Sequence, residues 1–146
     1  MKLTDNQLAE WRRFVSHHAI VDSWLLFEHN DVEIIEACNG IGAASWPESA
    51  RAILDSSLPT LLLPSVIHDL QWTFGNDGSR EYFLYTNAVF TTNGRLMAKY
   101  HFPWWRPARY ISLSLADRAG NLLDALGWPA YRKAYEESQR KISAST

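Results

Sequence analysis

A mainly α-helical fold in a single domain, residues 1–146, is expected for this chain, and three features lead to that expectation. Apolar residues recur at spacings of three and four along most of its length. Residues suited to capping helices stand where those stripes begin. The strongest turn signal, Gly75-Asn76-Asp77-Gly78-Ser79, separates two long stripes, so the helices on either side of it would be antiparallel neighbours. A chain of 146 residues can bury roughly two thirds of its unfolded surface in one core.

Taken in order, Thr4 or Asp5 caps a first helix whose stripe is Leu8, Trp11, Phe14 and Val15. The stripe continues through Val21, Trp24 and Leu25, with a break near His17-His18. Asn30 and Asp31 cap a short helix over 32–37. Pro47, after Trp46, suits the first turn of a helix running to Ile53. After the punctuation at 56–59, a helix is predicted over 60–74 and another from Ser79 to about Tyr100, with Tyr82, Tyr85, Val89 and Phe90 on related faces. A further helix over 108–126 would bury Ile111, Leu113, Leu115, Leu122 and Leu123 and end at Gly127. Pro129 opens a last, charge-rich helix over 130–142, most simply a solvated face.

Composition narrows the function. A formal net charge of −2 argues against a nucleic-acid partner, which usually meets a basic excess. One cysteine excludes intrachain disulfides and suits a reducing compartment. The first ten residues are polar, so no signal peptide is expected; no apolar run reaches the length of a membrane span. Cytoplasmic synthesis follows as the expectation. Among seven tryptophans, Trp11, Trp24 and Trp72 lie in helical segments and read as core. Trp104-Trp105, followed by Arg106 and bounded by Pro103 and Pro107, either anchor the chain at a membrane interface or plug a gap between helices.

The chemistry concentrates in His68-Asp69, a titratable imidazole beside a carboxylate within an apolar stretch. A neutral imidazole accepts a proton near pH 7, and an ionised aspartate can hold a cation that stabilises a substrate oxygen. Upstream stands Cys38-Asn39-Gly40-Ile41-Gly42-Ala43, whose paired glycines allow a sharp turn but lack the third glycine of a dinucleotide fingerprint. His17-His18 with Asp22 lacks a further metal ligand nearby in sequence, and nothing in the sequence activates Cys38 as a nucleophile.

Together, the glycine loop and the His-Asp helix resemble the phospholipase A2-like family, which has a glycine-rich calcium loop followed by a helix bearing the dyad. The resemblance is closest to small phage and prophage proteins with a C-N-G-x-G loop, and it covers about residues 36–90. It implies an antiparallel helix pair carrying the dyad, with additional N- and C-terminal helices. It implies a weakly held Ca2+ bound by main-chain oxygens of Cys38, Gly40 and Gly42 together with Asp69. His68 would be the base that takes a proton from water, and the Gly40 amide would help hold the oxyanion. Phospholipid at a membrane interface and phage structural proteins are the partners it implies, with virion association after synthesis.

The chain departs from the family where an aspartate normally orients the histidine: Asn87 stands there, nineteen residues after His68. In serine proteases the same exchange costs roughly 10⁴ in rate, because an amide can hold the wrong tautomer. Ser65 likewise replaces a cysteine and Trp72 a tyrosine. Two alternatives therefore stand beside the hydrolase. One is a catalytically inactive structural or accessory phage protein on the same scaffold. The other is a metal-dependent phosphohydrolase of the HD type, using His29, His68, Asp69 and Asp117.

Overall fold

A computed structural model describes residues 3–40 and 59–144. Among the described residues it contains seven helices and no strand, as the mainly α expectation requires. Helix α1, Asp5–Val15, begins with a capping box. Thr4 Oγ1 accepts from the Gln7 N–H and Gln7 Oε1 accepts from the Thr4 N–H. Leu8 and Val15 are buried, and Trp11 and Phe14 pack against them from the partly buried side.

The stripe does not run on through Trp24. The chain leaves the helix at Val15, turns with Asp22 at φ +57°, and re-enters helix only in the short α2, Leu25–Glu28. Distant side chains enforce this reversal. Asn93 holds both the N–H and the C=O of Val21, at 2.9 Å each. Asp22 accepts from Gln71 Nε2 and Tyr85 OH, both at 2.7 Å. Trp24, expected in the core, is consequently 56 % exposed, and Tyr85 faces outward to reach Asp22.

Helix α3, Asp31–Gly40, starts at the expected cap: Asn30 and Glu33 exchange side-chain-to-backbone bonds at 3.0 Å. It runs beyond residue 37 because Ile34, Ala37 and Cys38 form one apolar stripe that packs on the core. The helix expected over 47–53 lies outside the described residues.

Helices α4, Pro59–Phe74, and α5, Arg80–His101, form the central hairpin. Their contacts run in opposite directions along the two chains. Leu61 lies beside Gly94, His68 beside Asn87, and Gln71 beside Tyr82. The pair is therefore antiparallel. Ser79 caps α5 by accepting from the Tyr82 N–H at 3.0 Å. Gly78 in the intervening turn has φ +76°, and an added Cβ would lie within 3.0 Å of the Tyr135 ring, so only glycine fits.

Helix α6, Pro107–Leu126, lies along α5 at close range. Its buried face is Ser112, Ala116, Ala119, Gly120 and Leu123, whereas Ile111, expected inside, is 57 % exposed. The close approach explains the shift. A Cβ on Gly120 would sit 1.9 Å from Thr91 Oγ1, and one on Gly94 would sit 2.8 Å from Ala116 Cβ. Large side chains cannot occupy that seam, so small residues take it. Helix α7, Trp128–Ala144, closes the far end of the hairpin through an aromatic cluster of Trp72, Phe83, Trp128 and Tyr131.

Candidate functional site

His68 projects from α4 toward α5 and is 3 % exposed. Its ring lies 4.5 Å from that of Trp72 and meets Phe90 edge-on at 5.7 Å. Trp72 is itself fixed by an Nε1 bond to Thr86 Oγ1 at 2.9 Å. Across the seam, His68 Nε2 stands 3.0 Å from Asn87 Oδ1. An amide oxygen can only accept, so Nε2 carries the hydrogen and Nδ1 keeps its lone pair. Burial pushes the imidazole down to about 4 despite the opposing effect of the Asn87 bond, so the ring is neutral at pH 7. The other end of the Asn87 amide donates through Nδ2 to Asp124 Oδ1 on α6 at 2.8 Å. Three helices thus contribute one residue each to a chain running from imidazole to amide to carboxylate.

Asp69, next on α4, is partly buried, and burial pushes its carboxyl up to about 8. Among the described residues it makes no hydrogen bond or ion pair. Cys38 comes close enough to feel its charge: burial first, then the Asp69 carboxylate, raise the thiol well above its ordinary range. A thiol held protonated in this way is no nucleophile. The structure therefore places Cys38, near the end of α3, within electrostatic reach of Asp69.

The loop expected at residues 38–42 is only partly described. Cys38, Asn39 and Gly40 form the last turn of α3, and Gly42 lies outside the described residues. In that turn the Gly40 N–H points back along its own helix. Among the described residues no group of three or more His, Cys, Asp or Glu side chains gathers to hold a metal ion.

The remaining candidates lie apart. His29 stacks on Phe74 at 3.8 Å and faces Glu33, while Asp117 pairs with Arg95 at 2.8 Å. Neither joins His68 and Asp69. Trp104 and Trp105 are 70 % and 64 % exposed with their rings perpendicular, so they plug no gap. The reason is a tight turn in which the Arg106 N–H bonds the Pro103 carbonyl at 3.0 Å, putting both tryptophans at its outer corners. This turn follows the end of α5 at His101, fourteen residues beyond Asn87, or roughly 21 Å along the helix from the level of His68.

Asp124 carried no signal in the sequence motifs. A trace exists in the spacing, since Ala116, Gly120 and Asp124 are four apart and the first two mark a close helix contact. No protein-family model, curated protein or solved structure matches this chain.

Proposed function

We propose that this chain is a calcium-dependent phospholipid or lipid ester hydrolase, of phage or prophage origin, in which His68 activates water. The observation that carries the reading is the commitment of His68 Nε2 to Asn87, which leaves Nδ1 as a neutral acceptor on the residue next to Asp69, a carboxyl with no hydrogen bond or ion pair among the described residues. In the reaction, Nδ1 takes a proton from water as the water oxygen attacks the ester carbonyl carbon. The tetrahedral adduct then collapses, its C–O bond to the alcohol breaks, and the imidazolium returns the proton to the departing alkoxide. Cys38 and Gly40 carbonyls with Asp69 would hold calcium, which when bound supplies charge stabilisation for the carbonyl oxygen.

Hydrolysis at a lipid surface also needs a way onto it. The exposed Trp104 and Trp105 are joined by Tyr110 and Ile111, at 59 % and 57 % exposure. Between Glu81 and Asp117 the chain has Arg95, Lys99, Arg106 and Arg109 and no acidic residue. Aromatic rings flanked by cations suit an anionic interface.

The deciding experiment is fatty-acid release from anionic mixed micelles with calcium or with chelator. Wild type should release fatty acid only with calcium. His68→Ala should lose about 10²-fold or more, the usual contribution of a positioned base. Asp69→Ala should lose the calorimetric heat of calcium binding. A folded wild type that neither binds calcium nor releases fatty acid would remove the hydrolase. The inactive scaffold would then stand.

A further inference from the structure

We propose that Asp124, on a helix outside the dyad, is the positioning residue that sets the tautomer of His68 through the side chain of Asn87. A carboxylate oxygen only accepts, so the Asn87 group facing Asp124 must be the NH2. The amide is planar with its two polar atoms on opposite branches, so committing Nδ2 to Asp124 turns Oδ1 toward His68. Reversing the amide would set a carbonyl oxygen against a carboxylate and an NH2 against Nε2. That arrangement favours the opposite tautomer, with the hydrogen on Nδ1 and no lone pair there for water.

Asn87 by itself does not choose between these orientations, because each end can meet one form of the imidazole. It is 1 % exposed, so water has little access to arbitrate. The carboxylate at 124 breaks the tie. Measured against the family the sequence resembles, the orienting carboxylate has moved outward by one side chain, with an amide as the spacer. The backbone supports the arrangement. Gly94 against Ala116 and Thr91 against Gly120 fix the register that puts residue 124 opposite residue 87. Thr91 Oγ1 also bonds the Asn87 carbonyl at 3.0 Å.

The value of this tautomer to catalysis rests on the reading of His68 as a base, but the tautomer itself is observable without substrate. The test is long-range ¹H–¹⁵N correlation of ¹⁵N-histidine-labelled protein at neutral pH, which distinguishes protonated from unprotonated ring nitrogens. Wild type should show His68 in the Nε2–H form alone. Asp124→Ala, at an exposed position where folding is checked by circular dichroism, should shift it to a mixture or to the Nδ1–H form. Asp124→Glu should restore the wild-type pattern. The paired exchange Asn87→Asp with Asp124→Asn should keep the Nε2–H form, since a carboxylate then accepts directly from Nε2. An Nδ1–H pattern in wild type, or an unchanged Nε2–H pattern in Asp124→Ala, overturns the proposal. A fixed Nε2–H form that depends on Asp124 in a protein without hydrolysis upholds the assignment and removes the hydrolase instead.

Discussion

His68 and Asp69 are neighbours whose proton affinities burial moves in opposite directions. The imidazole is pushed down from 6.5 to about 4 and the carboxyl up from 3.8 to about 8. For His68 the unfolded chain binds the proton more readily, so its contribution to stability is present above about 6.5 and is lost as pH falls through 4. For Asp69 the folded chain holds the proton, so its contribution is present below 3.8 and is lost as pH rises through 8. Between about 4 and 6.5 the two slopes oppose one another. From 6.5 to 8 only the Asp69 loss remains. The melting temperature of calcium-free protein should therefore fall over that upper window. Asp69→Asn should abolish the fall and uncover the His68 decline on the acid side, and a pH series of thermal melts checks both. An alkaline decline unchanged in Asp69→Asn would assign it to another group.

Among the elements, the α5–α6 seam is the one on which the candidate site depends most. Its spacing is set by missing side chains: Gly120 receives Thr91 and Gly94 receives Ala116. Gly120→Ala would force Thr91 out of a rotamer that bonds the Asn87 carbonyl. Overpacking of this kind costs about 1–3 kcal/mol, which the helix preference of alanine only partly offsets. Chemical denaturation should register that loss. Because the clash pries apart the two helices carrying Asn87 and Asp124, the tautomer signature of His68 should weaken in the same variant. Gly78→Ala should also destabilise, through its left-handed φ and the Tyr135 ring, yet leave the tautomer unchanged because it lies at the hairpin turn.

For the molecule as a whole, the two ends of the hairpin differ in chemistry. The turn end is sealed by Trp72, Phe83, Trp128 and Tyr131, with Arg80 and Arg132 over the rings. The other end presents Trp104 and Trp105 beside Arg106. Cosedimentation with anionic vesicles should show binding that weakens at high salt. Each of Trp104→Ala and Trp105→Ala should reduce it about tenfold, since an aromatic ring removed from water is worth at least 1.4 kcal/mol. Arg106→Ala should reduce it about fivefold, near the 1 kcal/mol of one basic residue at such a surface. Binding insensitive to all three substitutions would move the membrane face elsewhere.

Local chemistry determined the helices and most of their ends. Thr4, Asn30 and Ser79 act as caps because their side chains reach amides three residues away, and the 75–79 turn separates the hairpin helices as its glycines and Asn-Asp pair suggest. The antiparallel pairing expected from that turn sets residues equidistant from it side by side, and His68 and Asn87 are such a pair. Partners far apart in the chain decided what local signals could not. The exposure of Trp24 follows from Asn93 and Asp22 bonds that reverse the chain before it. The buried face of α6 follows from how closely α5 approaches, which no apolar stripe records. Asp124 enters the site for the same reason. A polar residue on a helix becomes a partner only when another helix comes near enough, and that distance belongs to the packing of the two surfaces.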